Sequence, residues 1–418
     1  MKFSKIANKL RGKISKFSGE LSNKLDKTAG RFINEALYGI LSNQSVMLTE
    51  IGRSLETDVP LKKIEERFCR QLAKEEIWNN IHQRVLKSGG DKIKEDTLLI
   101  LDLSDLYKKY AEKMEYLTQV RDGSEGGEIV NGYWTNQVIG ADLHNDEVIP
   151  LYHSLYSQEA PDFKSENAEI LKAIDMVSSH TENRGIWVVD RGGDRDTLYR
   201  SLLENKRDFI IRQVGNRNIK CGKKEQSTIS LAYSCKCPYS DIFVKEKDGK
   251  EIVYTVSYGY LEVKLPDYDS PLYLLVVKGF GEKPMMLLTT IPLRRNRKVL
   301  KRILQSYLKR WSIEETIRFV KQTYDLENIR VLKYVRLKNM MALLLAVFYF
   351  IAVILDRSQK LKILASHVLK SAKRLFGIPD FKYYALGDGI STIFQRSPGI
   401  LFKNKTQQND FQLGLAFT

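Results

Sequence analysis

Residues 97–103 read TLLILDL and residues 185–190 read GIWVVD. Each stretch is an uninterrupted apolar run bounded by polar residues, which is typical of a strand buried on both faces of a sheet. Residues 133–142 and 147–156 have strand patterns on either side of a short polar turn, and residues 165–179 have the spacing of a helix. This succession of strands and helices predicts an α/β fold with a mixed sheet whose first strands are antiparallel.

The pattern outward from these strands divides the chain into five predicted regions. Ser88-Gly89-Gly90 marks the first boundary. The regions are a helical, basic-armed segment (1–90), the first part of the α/β domain (91–214), a β-rich insertion (215–284), the second part of the α/β domain, which is helical from Arg297 (285–358), and a basic C-terminal region (359–418).

Positive charge is concentrated at the two ends of the chain. The 418 residues contain 67 Lys+Arg and 51 Asp+Glu, a net charge of +16. Residues 291–418 carry 24 basic and 8 acidic residues, and residues 1–31 carry 9 basic and 2 acidic residues, so the segment between them is net acidic. Two separated basic surfaces predict a polyanionic partner, with nucleic acid as the leading candidate. A merely well-solvated surface explains the charge equally well.

Two apolar patterns and the cysteines bear on the class of protein. The first 25 residues have apolar residues at helical spacing between lysines, which favours a helix that packs on the protein and contacts DNA over one that lies on a membrane. Met340 to Leu355 is apolar throughout but spans only 16 residues, so we interpret it as a buried core helix. Cys221, Cys235 and Cys237 lack paired zinc-ligand spacing, which favours ordinary thiols in a reducing cytoplasm.

Two aspartates end the two decisive strands. Asp102 and Asp190 close otherwise apolar runs, where an unpaired carboxylate costs several kcal/mol unless a cation or metal compensates it. Because strand ends form the sites of open α/β sheets, we favour a functional role over simple turn formation for both. For Asp105 and Asp194 we predict helix N-caps, because each precedes a helical pattern.

A third acid belongs to a polar helix face. Tyr307, Arg310, Glu314 and Lys321 are separated by three, four and seven residues, which places them on one side of a continuous helix. The capping-box pattern of Ser312 with Glu315 predicts an interruption at Ser312. The polar face suits either a surface ion-pair stripe or the edge of a cleft, and its apolar neighbours favour the cleft.

These residues form a Tyr-x2-Arg-x3-Glu-x6-Lys signature, and the chain resembles the DDE transposases of bacterial insertion sequences that carry it. Asp102-Leu103-Ser104 is similar to the D-x-[ST] setting of the family's first aspartate. Val188-Val189-Asp190-Arg191 is similar to the V-x-D-R setting of the second. The separation of 124 residues between Asp190 and Glu314 resembles relatives with a β insertion there. The resemblance covers roughly residues 36–357.

The resemblance implies an RNase H-like catalytic domain preceded by a helical N-terminal DNA-binding domain. It makes Asp102, Asp190 and Glu314 the catalytic residues and the ligands of two Mg²⁺ ions, for which Mn²⁺ can substitute. The implied reaction is cut-and-paste transposition, with endonuclease cleavage at terminal inverted repeats followed by 3′-OH strand transfer into target DNA. The expected partners are double-stranded DNA and a second copy of the chain in a synaptic homodimer, and the expected location is the bacterial cytoplasm, at the nucleoid.

The resemblance and the charge pattern also predict DNA contacts. The expected phosphate-binding residues are Tyr307, Arg310, Lys321, Arg191, Arg294, Arg295 and Arg297. Relatives that cut through a DNA hairpin stack a flipped base on a tryptophan, but this chain has Met286 at the corresponding place. Either Tyr258, Tyr260 or Phe280 makes that contact instead, or the hairpin route is modified or absent. Two alternative functions stay open, which are a non-catalytic DNA-binding protein derived from such an enzyme and a metal-dependent nuclease without strand transfer.

Overall fold

The computed structural model describes residues 3–108, 110–121, 127–247, 250–355, 359–374, 380–399 and 401. The chain begins with five helices, which are α1 (Phe3–Leu21), α2 (Lys27–Asn43), α3 (Leu48–Arg53), α4 (Leu61–Leu72) and α5 (Glu76–Gly90). The apolar face predicted for the first 25 residues is the buried face of α1, with Leu10, Ile14 and Leu21 almost fully enclosed. This face packs on α2 and α5, so the basic arm is a docked helix.

The α/β part follows in the predicted order. Its elements are β1 (Leu98–Tyr107), β2 (Thr118–Arg121), β3 (Ile129–Ala141), β4 (Val148–Tyr156), α6 (Glu166–Thr181), β5 (Ile186–Val189), α7 (Asp196–Glu204) and β6 (Asp208–Arg212). Ser165 caps α6 through a hydrogen bond from Ala168 N. Gly185 leads from α6 into β5 with φ of +98°, a conformation that glycine adopts without strain.

The strand pairing confirms a mixed sheet. β1 pairs antiparallel with β3, and β3 pairs antiparallel with β4, whereas β1, β5 and β6 run parallel to one another. The order across this part of the sheet is therefore β4-β3-β1-β5-β6. Because β5 contacts β1 only along Leu98–Ile100, the second half of β1 extends beyond its parallel neighbour toward the helices that follow.

The β-rich segment extends this same sheet. It comprises β7 (Asn218–Cys221), β8 (Lys224–Ser227), α8 (Thr228–Ser234), β9 (Tyr239–Lys247), β10 (Lys250–Val263) and β11 (Leu272–Lys278), and β12 (Met285–Thr289) follows. β12 pairs with β6, and β11, β10 and β9 follow outward, giving ten strands in one sheet among the described residues. β7 and β8 form a separate hairpin.

The C-terminal part is helical. Its helices are α9 (Arg297–Leu308), α10 (Trp311–Thr323), α11 (Tyr334–Tyr349), α12 (Gln359–Leu369) and α13 (Tyr383–Arg396), and α11 continues as a π-helix over Phe350–Leu355. Tyr334–Leu355 is long and apolar enough to cross a membrane, but 89% of its most apolar window is buried inside the protein. The prediction of a buried core helix is confirmed.

One hydrophobic core joins these parts. Its buried residues run from Ile6 in α1 through the sheet to Phe394 in α13, and Ser391 in α13 donates a hydrogen bond of 2.6 Å to Ser42 O in α2. The predicted boundaries at 90, 214, 284 and 358 fall between elements, and the division into domains stays a prediction. Residues 375–379, 400 and 402–418 of the predicted basic C-terminal region lie outside the described residues.

Candidate active site

Asp102 and Asp190 lie at the edge of the sheet where the parallel pairing of β1 and β5 ends. The prediction that Asp102 ends its strand is wrong, because β1 continues to Tyr107. In the parallel pair of β1 and β5, Ile100 is opposite Val188, so the two aspartates each lie two residues farther along neighbouring strands. Asp190 caps the short 3-10 turn Arg191–Gly193 by accepting a hydrogen bond of 2.7 Å from Gly192 N. Asp102 accepts a hydrogen bond of 3.0 Å from Leu103 N and keeps its second oxygen for a partner across the cleft.

Glu314 approaches the same edge from α10, which packs on β1 and β3. The predicted interruption of the helix is present but lies before Ser312, because α9 ends at Leu308 and α10 begins at Trp311. The connection is a tight turn at Lys309 and Arg310, closed by hydrogen bonds such as that from Ser312 N to Lys309 O. Glu315 forms no capping box and instead pairs with Arg318, so Glu314 lies in the first turn of α10, where the helix dipole favours a carboxylate.

Arg310 lies between two of the three acids. Its Nη1 donates to Asp102 Oδ2 at 3.3 Å and its Nη2 donates to Glu314 Oε1 at 2.5 Å. The guanidinium is 12% exposed, and its Nε finds no hydrogen-bond partner among the described residues. The strand edge and the helix are thus joined by one buried cation.

The other two carboxylates act electrostatically on Asp102. Burial, reinforced by the negative charges of Asp190 and Glu314, raises the pKa of Asp102 to about 7, while Arg310 opposes this shift. Oxygen donors of this kind suit hard divalent cations such as Mg²⁺. Within the described part of the chain, however, no group of three or more His, Cys, Asp or Glu side chains could hold a metal ion as it stands. Arg310 now occupies the space between two of the candidate ligands.

Lys321, the last signature residue, faces the same cleft from α10. The cleft has a volume of about 850 Å³, and its walls include Asp102, Asp105, Glu314 and Lys321. Lys321 Nζ lies 3.2 Å from Asp105 Oδ2. The helix N-cap predicted for Asp105 is wrong, since Asp105 lies within β1 opposite Trp134 of β3.

Tyr307 occupies a different position from the rest of the signature. It lies in α9 before the turn, is only 5% exposed, and its ring centre is 6.0 Å from the Arg310 guanidinium. The break between α9 and α10 separates it from the face that carries Glu314 and Lys321. The Tyr307 ring therefore packs near the Arg310 guanidinium. Phosphate binding by Tyr307 stays a prediction.

The remaining predicted basic residues are on the surface. Arg191, Arg294, Arg295 and Arg297 are exposed. Arg297 pairs with Asp241 at 2.8 Å, and Asp241 also binds Lys301 and accepts a hydrogen bond of 2.5 Å from the Tyr258 hydroxyl. This group ties α9 to β9 and β10 and forms a cluster of its own.

Three of the candidates for a flipped-base contact differ in accessibility. Met286 is 3% exposed and Tyr258 is completely buried, so neither presents a face to a base in this structure. Tyr260 is partly exposed and packs against Tyr273, with ring centres 6.4 Å apart. A contact by Met286 or Tyr258 would require them to leave the core.

Sequence reasoning missed the residues that hold the signature cations. Asp105 and Glu327 both contact Lys321, and Lys108 fixes the turn that carries Glu327. The helix N-cap predicted for Asp194 is also wrong, because the residue before α7 is Arg195. Asp194 instead accepts hydrogen bonds from Val214 N and Arg217 Nε. Only Asp105 had a partial signal, because it closely follows the apolar run of β1, whereas Lys108, Asp194 and Glu327 stand in polar stretches that do not mark them.

Comparisons with known proteins identify the family of the chain. The sequence profile of the transposase DDE domain matches residues 133–350, more than half of the chain, including Asp190 and the whole signature but not Asp102. No curated protein matches the sequence. Among solved structures, the chain is similar to a piggyBac transposase in a cryo-EM synaptic complex with hairpin DNA, with a TM-score of 0.45, 11% identity, and coverage of 93% of this chain and 79% of that chain. On the profile match, the chain belongs to the transposase DDE domain family.

Proposed function

We propose that this transposase cuts DNA at terminal inverted repeats and joins the freed 3′-OH ends to target DNA, with Asp102, Asp190 and Glu314 as its catalytic residues. The observation that carries the proposal is the convergence of these three carboxylates from β1, β5 and α10 on one sheet edge, where the pKa of Asp102 responds to both other acids. Mutually repelling carboxylates at a strand edge are an arrangement that a bound cation stabilises.

The sheet order supports assigning the catalytic domain as RNase H-like. Three antiparallel strands, β4, β3 and β1, continue into two parallel strands, β5 and β6, and α6 forms the connection from β4 to β5. In this assignment β9 to β12 are an addition to the far edge of the sheet. The first two acids then lie on adjacent central strands, with the third supplied by a helix.

The donor set fits two divalent cations chemically. Asp102, Asp190 and Glu314 would hold the ions. When bound, Mg²⁺ or Mn²⁺ would activate a nucleophilic oxygen and neutralise charge on the phosphate. Arg310 would have to leave Asp102 and Glu314 for this, because its guanidinium now neutralises both.

The basic residues around the acids would hold the DNA. A displaced Arg310 would offer a planar fork to a phosphate near the cut, and Lys321 would offer a point charge from the next turns of α10. Arg191, Arg294, Arg295 and Arg297 would extend this surface. The helices of residues 1–90, with their basic α1, would contact the inverted repeat, and synapsis of two ends would use a homodimer.

The decisive experiment uses a DNA duplex carrying the inverted repeat that flanks the gene. We expect Mg²⁺- or Mn²⁺-dependent nicking at the repeat end that falls by at least about 10³-fold in Asp190→Asn and Glu314→Gln. Glu315→Gln is the matched control, because Glu315 is the adjacent residue on α10 and pairs only with Arg318 among the described contacts. Robust cleavage by both acid variants would refute the site assignment.

The products distinguish transposition from simple hydrolysis. When target DNA is present, a transposase joins the cleaved 3′ ends to it, and the joined species migrates as a larger DNA on a denaturing gel. A nuclease gives nicked DNA alone. Failure to join would leave the catalytic residues in place but reduce the activity to that of a metal-dependent nuclease.

A further inference from the structure

The ammonium of Lys321 is held by an aspartate that the signature does not include. Asp105 lies three residues after Asp102 in β1, and its Oδ2 is 3.2 Å from Lys321 Nζ. Both side chains are largely buried, with 12% of Asp105 and 18% of Lys321 exposed. A pair this enclosed is less screened by solvent than a surface ion pair, so it restricts where the lysine can point.

A second acid also contacts the Lys321 ammonium. Glu327 Oε1 is 3.5 Å from Lys321 Nζ and is more exposed than Asp105. The turn carrying Glu327 is fixed by Lys108, whose Nζ donates to Glu327 O and Ile329 O at 2.6 Å each. Because Lys108 directly follows β1, the end of one strand sets the position of both partners of Lys321.

Both signature cations form ion pairs with aspartates of β1. Asp102 binds Arg310, and Asp105 binds Lys321, so two aspartates of β1 hold the two cations that flank Glu314 on the helix side. All of these carboxylates and Lys321 line one cleft. A free lysine side chain has many rotamers, so a group that confines it in advance lowers the entropic cost of placing its ammonium at a defined phosphate.

We propose that Asp105 is a positioning residue for DNA cleavage, which holds the Lys321 ammonium at the cleft wall so that it meets the phosphate beside the scissile bond. This inference rests on the proposed function. Asp105 has two opposing effects on DNA, since its negative charge repels phosphate while its contact with Lys321 orders the ammonium. Removing it should therefore separate DNA affinity from the rate of cleavage.

The test compares Asp105→Asn with the wild type in three measurements on the full chain. Affinity for the inverted-repeat duplex, measured by fluorescence anisotropy without metal, should stay the same or rise by no more than about fivefold. The single-turnover nicking rate at saturating protein should fall about 10- to 100-fold, because a misplaced phosphate contact costs rate more than binding. Asp105→Glu, which keeps the carboxylate, should recover most of the rate.

A matched control separates positioning from charge. Glu315→Gln removes one negative charge from α10 at an exposed ion pair with Arg318, so it should reproduce any gain in affinity but leave the nicking rate unchanged. As a direct readout, Lys321 in Asp105→Asn should react several-fold faster with an amine-acylating reagent, scored by mass spectrometry, because its ammonium has lost its most enclosed partner.

Two outcomes would overturn the inference. A nicking rate of Asp105→Asn within twofold of wild type would show that Lys321 needs no positioning. A parallel fall in melting temperature, DNA affinity and rate would show that Asp105 only supports the fold. Unchanged acylation of Lys321 in Asp105→Asn would refute the contact between Asp105 and Lys321. A wild-type protein that nicks no inverted-repeat DNA is a different result, because it refutes the proposed function itself.

Discussion

At the scale of single residues, Arg310 is both a partner of the candidate metal ligands and an obstacle to a metal. Its guanidinium binds Asp102 and Glu314 together, and its third nitrogen finds no partner in the described residues. A buried cation with an unpaired nitrogen gives up fewer hydrogen bonds when it leaves its site than a fully bonded one does. Arg310 would therefore have to release Asp102 and Glu314 before these carboxylates could hold a divalent cation.

Replacing Arg310 should accordingly strengthen metal binding while it weakens catalysis. We expect Arg310→Gln to bind Mn²⁺ about tenfold more tightly than wild type, equivalent to ~1.4 kcal/mol, because two carboxylates lose their resident cation. Isothermal titration calorimetry without DNA measures this. Arg318→Gln, on the exposed side of α10, should bind Mn²⁺ as wild type does. Equal or weaker Mn²⁺ binding by Arg310→Gln would contradict the competition.

The sequence predicted the signature residues better than it predicted their partners. Asp102 and Asp190 were recognisable because each follows an apolar run of four residues, and Glu314 because of its spacing from Arg310 and Lys321. The contact between Asp105 and Lys321 spans 216 residues, and no local pattern encodes it. Local propensity instead suggested an N-cap, which tertiary pairing of Asp105 within β1 overrides.

At the scale of elements, the sheet and the signature helices contain features that local sequence patterns did not predict. Residues 215–284 were recognisable as β-rich, but the addition of β12 to β6 is a non-local pairing that joins the segment to the main sheet. The turn at Lys309 and Arg310 contains neither glycine nor proline, so the capping-box pattern at Ser312 was the stronger local signal and misplaced the break by a few residues.

The junction of α5 and β4 contains two buried histidines that make stability depend on pH. His82 Nε2 lies 2.9 Å from His153 O, and Trp78 stacks on the His82 ring with centres 4.0 Å apart. Burial lowers the pKa of His82 to about 4, and burial together with the neighbouring His82 lowers that of His153 to about 3. Both rings are therefore neutral in the folded protein at neutral pH.

Acidification should destabilise the protein through these rings. Because their folded-state pKa values lie below the unfolded value of about 6.5, their contribution is complete above pH 6.5 and is lost as pH falls toward 4, by about 3 kcal/mol for His82 alone. Urea unfolding from pH 7.5 to 4.5 measures the loss. His153→Leu should flatten this dependence relative to wild type, whereas His144→Asn, in an exposed turn, should not. Identical pH slopes for wild type and His153→Leu would contradict this assignment.

At the scale of the whole molecule, the excess charge is attached to one continuous core. α1 and α13 share that core with the sheet, so the described residues of the two basic ends are parts of one folded body. Arg294 and Arg295 are exposed just before α9, the helix that precedes the turn carrying Arg310. Charges in these positions would act on DNA mainly by releasing its condensed counterions.

Neutralising these arginines should weaken DNA binding in a way that depends on salt. We expect Arg294→Gln combined with Arg295→Gln to lower the slope of log affinity against log salt by about 2, since each phosphate contact contributes ~0.9. Fluorescence anisotropy between 50 and 200 mM salt, as rough limits, gives the slope. The paired control, Lys223→Gln with Lys224→Gln on the exposed β7–β8 hairpin, should leave the slope unchanged. An equal loss in both pairs would indicate binding by net charge alone.

The exposed lysines of α1 form the second basic surface, and their contribution to DNA binding can be tested in the same way. α1 buries Leu10, Ile14 and Phe17 against the core and leaves Lys5, Lys9 and Lys16 exposed. If α1 contacts DNA, replacing the three lysines by glutamine should reduce the salt slope by up to about 3 without changing the melting temperature. Leu10→Ala should have the opposite effect. It creates a buried cavity, which should lower the free energy of unfolding by about 2–5 kcal/mol, but it keeps the lysines. A triple variant with an unchanged slope would show that the exposed lysines of α1 serve solubility, and DNA binding would then rest on the C-terminal surface around Glu314.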